Sequence, residues 1–401
     1  MGQNVFVFVV CGKRIHIDTL HFSLASLKRY SKNDIWVVTD SSRNETPVIH
    51  EKIVDIATPK EFDHHQASIF LKTGLHKFLP TGNNYCYLDT DVVAIDKRAD
   101  TIFENFSAPI TFAPDHCVMD QFSPSAVNCK CFEKYARWEK ELAELLVKVN
   151  DLVAKREDPV KKEILIRRLA ELKNNKWSYF WLSLRFNLSR NSFRLDADTY
   201  FDKKKRLWHD SDGQPVLYEK PIPDEIEIIE SISAFRCNRS DNSWSRESLN
   251  VSDCRCNHLQ EEIKKTFAVN IDQPAWQHWN GGVFLFNDKG HNFLETWHQN
   301  TLTIFKLPQW KTRDQGTLIT TAWQLGMQNQ QTLNRRFNLI ADYHKKGVEH
   351  LGNLTFKVDG VEEEIKPYFV HVYHNWGNKN WDVWQTLERH TGMTYKAEAG
   401  V

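Results

Sequence analysis

The sequence predicts an α/β fold: a mixed, mostly parallel sheet flanked by helices and interrupted by a large, partly helical insertion. Three observations carry this reading. Strand and helix signals alternate over the first hundred residues, charged helical periodicity takes over near Glu133, and strand signals return after Trp276. Alternation of the first kind builds parallel sheets with crossover helices.

The elements follow in order. VFVFVV (5–10) is a continuous β-branched and aromatic run, as expected of a strand buried on both faces. Ile17, Leu20, Leu24 and Leu27 then repeat at helical spacing. DIWVVTD is a second strand, ending in Thr39-Asp40, and EKIVDI a third. SIFLKTGLHKFLP is a helix closed by Pro80, and YCYLDTDVVAI (85–95) is the fourth strand. Sheets of this kind bind ligands beyond the carboxyl ends of their strands. Cys11-Gly12, Thr39-Asp40 and the Asp-Thr-Asp triplet at 89–91 all fall there.

From Glu133 the pattern changes. Trp138, Leu142, Leu145 and Val149 form one stripe of a charged helix, and Asp158-Pro159 suits the start of another, with Ile164, Leu165, Leu169 and Leu172. This reads as a helical hairpin that packs on the main domain or meets a partner. KWSYFWLSLRF (176–186) follows, flanked by Lys173, Arg190 and Arg194. Core packing of Trp177, Phe180, Trp181 and Leu184 is the simpler expectation. Peripheral contact of 176–194 with a membrane surface is the alternative. Residues 196–275 read as irregular, with DSDG as a turn. Order returns with HWNGGVFLFN (278–287), two helices, and the late strand and loop YFVHVYHNWG (368–377). The expected domains are 1–115, the insertion 116–275, and 276–401.

Composition narrows the function. Lys+Arg is 52 and Asp+Glu is 52, so the balanced charge argues against a dedicated nucleic-acid binder. No apolar run approaches the roughly 20 residues of a membrane helix. The short apolar start reads as a strand, not a signal peptide, so the expected location is cytoplasmic, at most peripheral to a membrane.

The strongest chemical signal is Tyr87-Leu88-Asp89-Thr90-Asp91. Carboxylates at i and i+2 of a strand point the same way, and at a strand end both can reach one hard cation. Mg²⁺ and Mn²⁺ prefer oxygen ligands and keep substrate phosphates in their shell. Together with it stand WNGGVFLFN and the late block His371-Val372-Tyr373-His374-Asn375-Trp376-Gly377-Asn378-Lys379-Asn380-Trp381. In this order the three blocks resemble those of GT-A fold glycosyltransferases, nearest in layout to family 8, the glycogenin and galactosyltransferase relatives. The matched parts are roughly the first 115 and last 125 residues, and the middle is unmatched.

The resemblance implies a Rossmann-like GT-A sheet and transfer of a sugar from a nucleotide-diphosphate donor, UDP-linked, with retention. The acceptor would be a glycan, a lipid-linked glycan or a protein. It implies Mn²⁺ or Mg²⁺ on Asp89, Asp91 and a late histidine. Spacing to Gly377 favours His374, and strand position favours His371. Lys379 would clamp the diphosphate, although it stands one residue nearer the glycine than in the family, and Asn380 replaces a proline. The donor would lie along Cys11, Gly12, Thr39, Asp40, Lys72, Thr90, Gly281, Gly282 and Gly377. Asn280 would offer an amide to sugar hydroxyls. Asp314 and Gln315 match the family's Asp-Gln pair, with Asp314 holding a sugar hydroxyl, acting as a base, or simply capping a helix. A binding or scaffolding protein that kept the fold without the chemistry is the alternative.

The eight cysteines form a separate pattern. Cys11 and Cys86 lie in strands. Cys129-x-Cys131 and Cys254-x-Cys256-x-His258 could hold structural Zn²⁺ if the fold joins them. Disulfides in an oxidising compartment, or ordinary thiols, are the alternatives.

Overall fold

A computed structural model describes residues 2–154, 158–219, 223–311, 314–342 and 347–395. The chain forms two compact units, one of Met1–Cys129 with Arg255–Val401 and one of Lys130–Cys254.

The first unit is the α/β unit. Its strand β1 (Asn4–Val10) sends Val5, Val7 and Val9 into one apolar cluster and Phe6, Phe8 and Val10 into another. That alternation explains the unbroken apolar run: both faces are covered. Helix α1 (Arg14–Tyr30) covers one face with Ile17, Leu20, Leu24 and Leu27. Helix α2 (His64–Thr73) covers the other with Ala67 and Leu71, and starts from a capping box between Asp63 and Gln66. Strands β2 (Asp34–Thr39) and β3 (Ile53–Asp55) extend the sheet on one side of β1, and β4 (Asn84–Leu88) lies on the other. All of these pairings are parallel. Beyond β4 come the strand Trp279–Phe286, antiparallel to its neighbours, and then the strand Ile110–Pro114. The six-stranded sheet is therefore mixed and mostly parallel, as the sequence predicts.

The run 85–95 departs from expectation. It is not one strand. β4 stops at Leu88, the chain turns through Asp89-Thr90-Asp91, and β5 (Val92–Ala94) enters a second sheet with Leu339–Ile340 and Phe369–His371. The carboxylates thus sit on a crossover between two sheets.

The insertion is shorter than 116–275. Met119, Ala126, Leu259, Ile263 and Ile271 belong to the core of the α/β unit, so the flanks of the expected insertion fold with the main sheet.

In the second unit, the helix Cys131–Ala154 buries Tyr135, Trp138, Leu142 and Val149 against Ile229, Phe235 and Val251. Asp158 accepts from the backbone N–H groups of Val160 and Lys161 at 2.9 and 3.2 Å, capping the helix Pro159–Asn174. A four-stranded meander of Ser192–Arg194, Thr199–Asp202, Leu207–Asp210 and Pro215–Tyr218 has its last three strands in the segment expected to be irregular. Its strands are three or four residues long, too short for an alternating pattern to stand out. DSDG is a turn there: Asp210 accepts from the backbone of Asp212 and Gln214, and Gly213 takes φ +79°.

The helix Lys176–Leu188 reverses the simpler expectation. Leu182 and Phe186 face the small core built on Phe193, Phe201 and Trp208. Trp177, Phe180, Trp181 and Leu184 face outward, and Trp177 and Leu188 are each 75% exposed. Among the described residues no helix is long and apolar enough to cross a membrane.

Candidate active site

Asp89, Asp91 and His371 each offer a ligand atom, and these atoms lie within 4.8 Å of one another. Register explains the meeting. His371 pairs with Val92 across the second sheet, one residue from Asp91, and its Nε2 lies 3.3 Å from Asp91 Oδ1. His374 does not join the group. After the strand the chain winds around Asp342, whose carboxylate accepts from the backbone N–H groups of Tyr373, His374 and Asn375. That carboxylate fixes the turn and leaves the His374 side chain exposed.

The imidazole of His371 is held by a chain of donors. Its Nδ1 lies 3.0 Å from Asn338 Oδ1, so the Nδ1–H donates there and Nε2 faces the carboxylates. Asn338 Nδ2 donates to Asn280 Oδ1 at 3.0 Å, and Asn280 Nδ2 donates to Asp115 Oδ2 at 2.9 Å. Outer partners of this kind set the tautomer and orientation of a ligating histidine. Asn280 also accepts from the N–H of Gly282. Its amide oxygen is therefore occupied in positioning. Asn338 and Asp115 were not apparent from sequence. Asp115 does follow a strand end, the signal that singled out Thr39-Asp40.

The two glycines form the floor. The strand Trp279–Phe286 has a register irregularity between Asn280 and Phe284 that turns them toward the site. A Cβ on Gly282 would lie 2.8 Å from His371 Cε1 and 2.9 Å from Asp89 Oδ2. One on Gly281 would lie 3.2 Å from Gln315 Oε1 and 3.4 Å from Lys72 Nζ. At Gly282 only glycine lets the backbone come this close, whereas at Gly281 the Gln315 side chain would have to give by a few tenths of an ångström.

Lys72 is buried beside the pair. Its ammonium lies 3.3 Å from Asp89 Oδ1, 2.9 Å from Asp314 Oδ2, and over the Tyr87 ring. Burial alone would lower its pKa, but Asp314 and Asp89 outweigh it and hold the lysine above its ordinary value. Burial would likewise raise Asp314, and Lys72 more than offsets that, keeping the carboxylate ionised. Asp89 goes the other way, raised by burial and by Asp91 despite Lys72. Three carboxylates thus face one lysine and one histidine. A divalent cation would relieve the crowding of Asp89 and Asp91, and two oxygen ligands with one imidazole suit Mn²⁺ or Mg²⁺.

Asp314 caps the helix Gln315–Gln324 by accepting from the Gln315 N–H. Gln315 Oε1 accepts from the Gly281 N–H at 3.0 Å, and its Nε2 contacts His278 Nδ1 and the Trp279 carbonyl. Both residues therefore sit at the glycine floor.

The remaining donor-binding candidates lie differently. The Cys11 thiol is buried, which pushes its pKa up to about 11. Gly12 takes φ +103°, and its N–H donates to Asn44 Oδ1. Thr39 donates to the Val10 carbonyl, while Asp40 accepts from Thr58 and pairs with Arg43. These residues are satisfied internally and shape the ends of β1 and β2. The Thr90 carbonyl accepts from Ser23 Oγ. Gly377 takes φ +73° against the Tyr395 ring. Lys379 is paired with Glu388.

No family model matches the chain, and no curated protein matches it. Among solved structures it is similar to the apo form of the bifunctional glycosyltransferase WbbM, at 9% identity and TM-score 0.42, over 98% of this chain and 50% of that one. This chain thus spans about half the length of WbbM. The glycosyltransferase GlyE of Streptococcus pneumoniae TIGR4 matches at 17% identity and TM-score 0.21, over 28% of this chain and 30% of that one. The galactosyltransferase LgtC, in complex with donor and acceptor sugar analogs, matches at 11% identity and TM-score 0.20, over 28% and 46%.

Proposed function

We propose that this chain is a metal-dependent glycosyltransferase that moves a sugar from a nucleotide-diphosphate donor, UDP-linked, to an acceptor hydroxyl with retention of configuration. The observation that carries the reading is the convergence of Asp89 and Asp91, on a crossover between two sheets, with His371 above Gly282. Asp89, Asp91 and His371 would hold Mn²⁺ or Mg²⁺. When bound, the cation offsets the charge of the departing diphosphate.

The chain's own residues do the rest. Gly281 and Gly282 let the side chains of Gln315, Lys72, Asp89 and His371 close in on the strand backbone. Gln315 fixes the Gly281 amide, and Asn280 and Asn338 lock the His371 ring. Asp314, kept ionised by Lys72, is better suited to accept a hydrogen bond from a sugar hydroxyl than to take its proton. Lys379 can serve the diphosphate only by leaving Glu388.

The reading is tested by incubating purified protein with Mn²⁺ and a panel of UDP-, GDP- and CDP-sugars. Slow, chelator-sensitive release of one nucleotide is expected. No release from any donor, with no metal-dependent nucleotide binding, would leave the scaffolding alternative standing.

The outward face of Lys176–Leu188, in the second unit, supports a peripheral membrane contact. Trp177, Phe180, Trp181 and Leu184 are exposed and flanked by Lys173, Lys176, Arg185 and Arg190. An aromatic stripe with a basic rim fits an anionic bilayer surface, where a lipid-linked glycan would be met. Wild type should co-sediment with vesicles containing phosphatidylglycerol, and a Trp177→Glu, Trp181→Glu variant should not. Equal sedimentation of both would remove the membrane contact from this account.

A further inference from the structure

Two of the thiols that the glycosyltransferase site does not use meet a histidine at a defined place in the fold. Cys129, Cys256 and His258 belong to the α/β unit, at the points where the chain leaves for the insertion and returns from it. Their ligand atoms lie within 4.8 Å of one another, and the sulfurs of Cys129 and Cys256 are 4.0 Å apart. A disulfide would need about 2.05 Å. Two thiolates on one tetrahedral zinc, each with a bond of about 2.3 Å, are separated by about 3.8 Å. The spacing suits a shared metal and is too long for a bond between the sulfurs.

The positions are built into the fold. The Cys256 N–H donates to the Asp120 carbonyl at 3.1 Å, and the N–H groups of Asn128 and Cys129 donate to Gln309 and Val127. Ser123 Oγ lies 3.1 Å from the Cys256 sulfur and accepts from the Leu259 N–H. Arg255, paired with Asp120, stands next to Cys256 in the chain. Cys131 follows Cys129 by two residues. Two extended residues span at most about 7 Å, so its sulfur is within chain reach of the same ion.

We propose that Cys129, Cys256 and His258, with Cys131 as the fourth ligand, form a structural zinc site that staples the two crossings into the insertion. Thiolates select zinc over the hard cations that suit Asp89 and Asp91, so the two sites take different metals. Holding the ends of a long excursion together removes loop freedom from the unfolded chain.

The test uses the full-length protein, purified reduced and without strong chelator. Elemental analysis should find about one zinc per chain, retained on dialysis. Cys129→Ser and Cys256→Ser should lose the zinc and melt at lower temperature, whereas Cys237→Ser should keep it. Because either variant could fail to fold, wild type is also loaded with Co²⁺. A sulfur-to-cobalt charge-transfer band is expected, and the carboxylate site cannot produce one. Reduced wild type with neither zinc nor that band would overturn the proposal. So would unchanged zinc in folded Cys129→Ser and Cys256→Ser, or a native disulfide between the two cysteines.

Discussion

Asp91→Asn should lower metal-dependent donor turnover by about three orders of magnitude, or about 4 kcal/mol of barrier. The asparagine keeps the size of the side chain and one neutral carbonyl oxygen. It removes the charge that pairs with His371 and crowds Asp89. A cation held by one carboxylate and one imidazole loses both affinity and its hold on a diphosphate. Folding should be affected little, because Asp91 lies in the turn between β4 and β5 and its backbone contacts remain. The Asp91 carbonyl still accepts from the Val372 N–H. The measurement is nucleotide release from the active donor over a range of Mn²⁺ concentrations, with thermal melting as the control for folding. Normal turnover in this variant would mean that the cation binds elsewhere.

Lys72→Met should destabilise the protein by about 3 kcal/mol, the low end for breaking a buried ion pair by removing one partner. The lysine side chain is only 9% exposed, whereas Asp89 and Asp314 retain some solvent. Methionine fills the space but leaves two carboxylates facing each other without a cation. The deficit should shrink in acid. The folded pKa of Asp314 is depressed chiefly by Lys72 against the effect of burial. Stability from that pairing is present above the unfolded pKa of about 3.9 and fades as pH falls through the depressed folded value. The variant has no such contribution to lose, so the two proteins should converge. Lys72→Arg keeps the charge and should restore part of the loss. Urea unfolding of the three proteins at neutral and acid pH reads all of these effects. Equal midpoints for wild type and Lys72→Met at neutral pH would show that the lysine does not bind the site together.

The parts of this site that could be read from sequence share one property: their signal is local. An apolar run closed by Asp89-Thr90-Asp91 marks a strand end, and two glycines entering VFLF mark a close backbone approach. The alternating first hundred residues likewise hold the sheet order around β1. The histidine that meets the two carboxylates is not marked by a local signal. Spacing pointed to His374 as strongly as strand position pointed to His371. The choice is made by pairing of His371 with Val92 and by the hold of Asp342 on the following turn. Asn338 and Asp115 are single polar residues far apart in the chain. They matter only because Asn280 lies between them.

The helix Lys176–Leu188 was misread for a related reason. Its large aromatic residues suggest the buried side, yet the meander that packs on it offers room only to Leu182 and Phe186. Strands that short gave no pattern from which their face could be foreseen. The cysteines and His258 leave zinc, disulfide and free thiol open in the sequence, and only the fold, through backbone contacts to Asp120 and Val127, sets the spacing of Cys129 and Cys256.

The central claim is that Asp89, Asp91 and His371 hold a divalent cation for a nucleotide diphosphate. Calorimetric titration of Mn²⁺ tests it most directly, with the nucleotide that the donor panel selects present, on wild type, His371→Ala and His374→Ala. Saturable binding is expected for wild type and His374→Ala, with little or none for His371→Ala. Undiminished binding by His371→Ala, or loss confined to His374→Ala, would contradict the account.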